Sequence, residues 1–296
     1  MPRPGPAGAT QRGILYMLLA VLLFTAMDAV VKDLVQRYPV ALVVWARFAI
    51  QLILVMAVLR GRTLAHLRTA YPVHHALRGL TQVATAGLYF AALPFIGLLE
   101  AQALADISPL LITLGAALFL GERLGPHRIF GVAVALAGAL IILRPGLSVF
   151  SPAALLPLGA AVTYAANALL TRALGARESP WTAMLISSAI CTAIASIALP
   201  FVWGPVAAQD LAVFLLAGAL GTGAQLAIIH AFSLAEASVI APFSYAGLVT
   251  AALWGWLFFA EVPDLPTLVG ALVIGAAGLY VWHRETRAAR APPPIG

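Results

Sequence analysis

The sequence predicts an all-α polytopic membrane protein, with ten transmembrane helices arranged as two inverted five-helix repeats. Composition is the first observation behind this. Hydrophobic residues make up 62% of the chain and charged residues 9%, with a mean hydropathy of +0.99. Soluble domains carry about 25% charged residues. A soluble core of this size could not hide the apolar excess, so the solvent has to be lipid. The second observation is segmentation. A spanning helix needs about 20 mostly apolar residues, and ten runs come close to that length: 13–33, 39–59, 73–93, 101–120, 127–143, 153–172, 181–200, 210–230, 237–259 and 266–283. These runs are too long and too rich in Gly and Ala for outer-membrane strands, which alternate with period two.

The third observation is a recurrence. The stretch EAQALADISPLLITLGAALFLGERLGPHRIFGVAVALAGALIIL, from Glu100 to Leu143, returns in altered form as EASVIAPFSYAGLVTAALWGWLFFAEVPDLPTLVGALVIGAAGLYVW, from Glu236 to Trp282. Three anchors recur at a spacing of 139 residues: Asp28 in TAMDAVVKD with Asn167 in YAANALLTR, Glu122 with Glu261, and Gly131 with Gly270. Each copy holds five spans. Five is odd, so the second copy enters the membrane from the opposite face. The expected organisation is a disordered N-terminus over 1–12, a first repeat over 13–143, a second, inverted repeat over 152–283, and a basic, Pro-rich tail over 284–296. Inverted repeats of this kind build secondary transporters, with the site near the midplane where the copies meet.

Positive charge near span ends sets orientation. With the N-terminus inside, Arg3, Arg12, Arg60, Arg62, Arg68, Arg78, Arg123, Arg128, Arg172, Arg177, Arg284, Arg287 and Arg290 collect on the cytoplasmic side, against Lys32, Arg37 and Arg144 outside. Both termini are therefore expected in the cytoplasm. The first span lacks a small-residue cleavage site after it and reads as a span rather than a signal peptide.

Taken in order, span 1 carries Asp28 and Lys32, four residues apart on one face. Their spacing suits either a structural ion pair or part of an outer gate. Span 2 holds Arg47 near its middle, where an unpaired charge costs about 2.5–3.5 kcal/mol on insertion scales. Arg47 must therefore face protein or water, whether it binds carbonyls, Asp28 or substrate. Span 3 shows Arg78, Gln82, Thr85 and Tyr89 at spacings of 4, 3 and 4. They form one polar stripe that must look inward, to a cavity or to another helix. In span 4, Pro109 deprives the carbonyl of Ala105 of its helical partner, next to Asp106, with Gln102 and Thr113 extending that face. In span 9, Pro242 likewise releases the carbonyl of Ser238, and Ser244 and Tyr245 follow. The two prolines are either packing kinks or flexing points beside a transport path. Spans 5 and 10 are rich in small residues (Gly131, Gly138, Gly270, Gly275, Gly278), which marks them as packing or dimer-facing helices. Span 6 presents Tyr164, Asn167 and Thr171 on one face. In span 7, Ser187 and Ser188 are expected to bond within their own helix. Span 8 adds Gln225 and His230, the latter either interfacial or a proton carrier. The aromatic residues Trp254, Trp256, Tyr280 and Trp282 near span ends suit an interfacial belt.

The net charge of +6 is spread over short loops rather than gathered into a patch, which argues against nucleic acid as a partner. Cys191 stands alone in an apolar run, so neither a disulfide framework nor a cysteine metal cluster is expected. His74 and His75 have no carboxylate or Cys spaced to complete a metal site. The GxxGTG of span 8 is no phosphate loop, since no strand precedes it. No cofactor is expected.

ADISPLLITLGAALFLGERLGPHRIFGVAVALAGALIIL resembles the first repeat of the EamA-type drug/metabolite transporters, and ASVIAPFSYAGLVTAALWGWLFFAEVPDLPTLVGALVIGAAGL resembles the second. ARF at Ala46–Phe48 and LRGL at Leu77–Leu80 are similar to the family's spans 2 and 3. The resemblance covers about 13–283 and is closest in style to the ten-helix exporters of amino acids, the aromatic amino-acid exporter group included. It implies alternating access without ATP, in an inner membrane, and no Walker lysine is present to contradict that.

The function expected from these readings is secondary transport, exporting a small metabolite, most simply an aromatic or apolar amino acid. The alternatives are a multidrug, nucleoside or sugar transporter of the same fold, or an uncoupled facilitator. The expected cavity is lined by spans 1, 3, 4, 6, 8 and 9. Its substrate-binding candidates are Arg78, Gln82, Thr85, Tyr89, Asp106, Tyr164, Asn167, Gln225, Ser244 and Tyr245; its gating or structural candidates are Asp28, Lys32, Arg47, Pro109 and Pro242. The partners are a small-molecule substrate and the lipid bilayer, with monomer and homodimer both open. An enzyme is disfavoured, because HExxH, Gly-x-Ser-x-Gly, a paired-carboxylate motif and a Cys/His dyad are all absent from the sequence.

Overall fold

Two of the ten expected spans are broken. The computed structural model describes residues 6–60, 63, 69–120, 126–145, 151–174 and 179–290. Its helices are α1 Pro6–Arg37, α2 Val40–Leu59, α3 Pro72–Ala92, α4 Leu98–Ala105, α5 Ser108–Leu120, α6 Pro126–Leu143, α7 Leu155–Leu174, α8 Pro180–Val202, α9 Ala208–Leu234, α10 Ala237–Ile240, α11 Ala246–Phe259 and α12 Leu265–Arg290. Spans 4 and 9 each take two of these helices: α4 and α5 for the former, α10 and α11 for the latter. Eight stretches among the described residues are long and apolar enough to cross a bilayer. Spans 3 and 5 fall short. The polar stripe and paired histidines of α3 lower its hydropathy, and the apolar part of α6 is only Ile129–Leu143.

The termini differ from expectation. Helix α1 begins at Pro6 and α12 continues to Arg290, so residues 6–12 and 284–290, expected to be disordered or loose, are helical. Pro is tolerated in a first helical turn, where its missing N–H bonds nothing. Glu, Arg and Ala after His283 are good helix formers. The charged knot of Glu122 and Arg123, with the side chain of Arg128, lies outside the described residues, as do Arg62, Arg68 and Arg177.

Helix contacts come in pairs related by the repeat. Helix α1 packs on α9 as α3 packs on α7; α1 meets α11 as α7 meets α5; α2 meets α9 as α8 meets α3. Helices α2 and α8 pair with each other, as do α6 and α12. At the last of these seams, a Cβ on Gly131 would collide with Val281, and one on Gly270 with Ile142. Gly131 and Gly270 are 139 residues apart, and so are Ile142 and Val281. The equivalent glycine of each copy receives a β-branched side chain from the other. Spans 5 and 10 are thus packing helices within one chain, as their small residues suggest.

Span 4 breaks because Pro109 starts a helix rather than kinking one. Helix α4 ends at Ala105, Asp106 caps it with its N–H on the Gln102 carbonyl at 2.9 Å, and Ile107 O accepts from Leu110 and Leu111 at 3.0 and 3.2 Å. Pro109 therefore lies in the first turn of α5, where its ring costs nothing. The expected kink in a continuous span is instead a two-residue interruption. Pro242 behaves alike: it opens a 3-10 turn over Ala241–Tyr245 between α10 and α11. Such interruptions are tolerated at membrane depth only where protein or water surrounds them.

Candidate functional site

Two ends of the bundle differ: the termini end, where α1 begins and α12 finishes, and the far end. Near the termini end a cavity of about 220 Å³ is lined by Arg78 and Gln82 of α3, Gln225 of α9, Gln51 of α2, Thr171 of α7 and Ser187 of α8. Three candidates from the sequence thus meet in one place. The helices do not match expectation, however, since spans 2 and 7 contribute walls while spans 1, 4 and 9 do not. The reason is the close α2–α8 pairing, which puts Gln51 and Ser187 on the inner side. Ser188 bonds back to its own helix at Met184 O, 2.8 Å, as expected, whereas the buried Ser187 Oγ makes no such bond.

Two other members of the polar faces clasp α3 to α7. Thr85 Oγ1 lies 2.8 Å from Thr163 Oγ1, and Asn167 Nδ2 donates to Arg78 O at 2.8 Å and to Thr81 Oγ1 at 3.0 Å. Their hydrogen-bonding capacity is used between helices rather than in the cavity.

Deeper in the bundle polar side chains join α2 to α1 and α3 to α4. Arg47 is buried, with its Nε 3.2 Å from Met27 Sδ and its guanidinium 4.5 Å from the Phe48 ring centroid. The Tyr89 hydroxyl donates to Gln102 Oε1 at 3.5 Å. Gln102 Nε2 in turn donates to Asp106 Oδ1 at 2.8 Å. Tyr164 is half-exposed on α7. Ser244 Oγ donates to Ala241 O at 2.7 Å within the 3-10 turn, and Tyr245 packs its hydroxyl end against Gly278. Trp254, inside span 9, turns inward and donates from Nε1 to Thr25 Oγ1 at 3.2 Å, beside Thr250. His230 is exposed and sits 5.4 Å from the Tyr16 ring.

At the far end Lys32 does not pair with Asp28, as its i, i+4 spacing allowed. Lys32 Nζ forms an ion pair with Glu261 Oε1 and donates to Ile96 O at 2.6 Å. The other Glu261 oxygen accepts from Leu98 N, at the start of α4, at 2.8 Å. Ala260, at φ 52, returns the Glu261 N–H to Gly255 O at 3.0 Å and so holds the carboxylate there. Two further pairs join the repeats at this end: Arg37 with Asp210 at 2.5 Å, where Tyr38 also donates to Asp210 at 2.6 Å, and Arg144 with Asp264 at 2.6 Å. Asp264 caps α12 by accepting from Thr267 N at 3.0 Å. Hydrogen bonding from Thr267, with Arg144 beside it, holds the Asp264 carboxyl below its ordinary range. A vestibule of about 740 Å³ opens outside this closure, bordered by Lys32, Glu100, Arg144, Glu261 and Asp264.

A polar cavity thus lies at one end of the bundle and an ion-paired closure at the other. Comparison with known proteins identifies the family. The EamA-like transporter family profile matches residues 11–144 and 151–282, one match per repeat. The chain belongs to the EamA-like transporter family. Within reach of this EamA chain are a riboflavin transporter of Rhizobium johnstonii, 34% identical across 95% of this chain and 94% of the relative, and a pseudopaline exporter of Pseudomonas aeruginosa, 33% identical across 90% and 94%. An S-adenosylmethionine uptake transporter of Rickettsia bellii is 29% identical across 93% and 95%. One solved structure superposes with a TM-score of 0.63 at 24% identity, covering 94% of this chain and 99% of the other, which supports the fold. The protein is thus a multi-pass membrane transporter of a small molecule.

Sequence reasoning passed over Gln51 and Glu261 as site residues. Glu261 carried a signal, as an acid closing an apolar run. Gln51 carried only its polarity inside span 2.

Proposed function

We propose that this EamA-family protein is an inner-membrane secondary transporter that exports an amino acid, or a metabolite with an amino-acid end, loaded from the cytoplasm by alternating access. The observation that carries the reading is the cavity in which Arg78, Gln82, Gln51 and Gln225 meet. A guanidinium with side-chain amides suits a carboxylate, which arginine takes in a two-pronged hydrogen bond. The volume of about 220 Å³ lies below the roughly 300–1,000 Å³ of drug-sized sites, so it favours an amino acid over a flavin. The relatives' names span riboflavin, pseudopaline and S-adenosylmethionine, and the last of these carries an amino-acid end. The arginine distribution supports cytoplasmic termini, and in that orientation the cavity faces the cytoplasm and the Lys32–Glu261 pair is the outer gate.

Counterflow in proteoliposomes tests this, using a panel of aromatic and apolar amino acids, S-adenosylmethionine, riboflavin, nucleosides and cationic drugs. Exchange of amino acids, weakened by Arg78→Ala, is the expected result. Exchange of riboflavin or nucleosides without any amino acid would overturn the substrate assignment and leave the carrier fold intact.

A further inference from the structure

Two carboxylates lie deep in the bundle, and the protein treats them differently. Asp28 is 7% exposed, and neither of its carboxylate oxygens is left buried without a hydrogen-bond partner. Asp106 receives one bond, from Gln102 Nε2 to Oδ1 at 2.8 Å. Its Oδ2 is buried and has no hydrogen-bond partner. A buried acceptor left unsatisfied is costly, the more so on a charged group, and native proteins rarely keep one without a use.

The location adds to this. Asp106 sits at the interruption between α4 and α5, beside the start of α11, where Gly247 lies against Gln102 Nε2. Tyr89 of α3 stands beside the same amide, its hydroxyl donating to Gln102 Oε1 at 3.5 Å. Among the described residues no three His, Cys, Asp or Glu side chains converge as a metal site, and calcium would require six or more oxygens. The occupant that fits is a monovalent organic cation. Arg78 and Tyr89 are eleven residues apart on α3, about 16 Å of helix, so this is a station separate from the Arg78 cavity.

We propose that Asp106 Oδ2 is the counter-ion for an ammonium group of the transported molecule. This rests on the transporter reading above and narrows its substrate class to molecules bearing a cationic nitrogen. The test uses the purified full-length chain in detergent, with phenethylamine and 2-phenylethanol as probes of one shape and different charge. The amine raises the Tm and the alcohol does not. Asp106→Asn weakens the amine's affinity about tenfold or more, the loss of one charge-assisted bond, while Asp106→Glu retains part of it. Equal protection by the alcohol, equal protection by sodium chloride alone, or undiminished amine binding by Asp106→Asn would each overturn the proposal. Should Asp106→Asn not fold, the comparison of probes on the wild type decides. Amine binding without counterflow would overturn the transport reading and leave this site standing. Counterflow of amino acids and their deaminated analogues at equal rates would do the reverse.

Discussion

At the far end, Lys32, Arg37 and Arg144 of the first repeat each meet an acid of the second: Glu261, Asp210 and Asp264. At the termini end the residue equivalent to Lys32, 139 positions on, is Thr171, and it lines the cavity. Asp28 is likewise matched by Asn167, which spends its amide on the α3–α7 clasp. The two copies share a fold but not their charges. Symmetric backbones make both ends able to close. The side chains decide which closure is held by ion pairs and which leaves a polar chamber.

Ways to break or sharpen that contrast follow in order of size. Lys32→Met should have the largest effect, because it leaves Glu261 without its cation. Removing one member of a buried pair costs about 3–5 kcal/mol, and the figure falls toward about 2 here because the Glu261 side chain is 23% exposed. Thermal unfolding in detergent should show the loss, and Lys32→Met/Glu261→Leu should recover most of it. A double variant no more stable than the single would mean that the pair is not what closes this end.

Thr171→Lys copies the far-end residue into the chamber. A lysine in about 220 Å³ should obstruct it, and counterflow should fall at least about tenfold, or about 1.4 kcal/mol. Unimpaired counterflow would remove the chamber from the transport path. Gln82→Ala and Gln225→Ala each delete one neutral hydrogen-bonding group, worth about 0.5–1.5 kcal/mol. Substrate affinity should drop about 2- to 10-fold in each, whereas Thr85→Val should change it by less, since Thr85 bonds Thr163. A larger loss from Thr85→Val than from Gln82→Ala would reverse the assignment of clasp and chamber.

Asp264→Ala is expected to be mildest, costing about 1 kcal/mol through the lost α12 cap. Its folded carboxyl titrates below the unfolded one, so the stabilisation is complete above about pH 4 and fades as the pH falls through the lowered folded value. The Tm gap between the wild type and Asp264→Ala should therefore close on acidification. A gap that widens toward low pH would contradict the geometry.

The fold was legible because apolar length and a fixed 139-residue offset both survive in linear sequence. The stripe on α3 was legible as a face, since helical spacing fixes which residues align. Its division was not. Thr85 and Asn167 turned to neighbouring helices while Gln82 and Arg78 met a cavity, and only the approach of α7 decides which. Lys32 shows the same limit. Local spacing offered Asp28 one turn away, but the partner that took it comes from the other repeat, 229 residues distant. Pro109 was read correctly as a disruption. That it begins a helix depended on Asp106 and Ile107 adopting non-helical turns, which proline alone does not dictate.

The seam between α6 and α12 has one more consequence. Gly131 seats Val281, and Gly270 seats Ile142; exchanging the two halves turns one socket into the other. Under the alternating access proposed here, each half takes the shape its twin had before. A joint of the same design in both directions has little to rearrange, so α6 and α12 can stay engaged as an axle while the helices around them trade places.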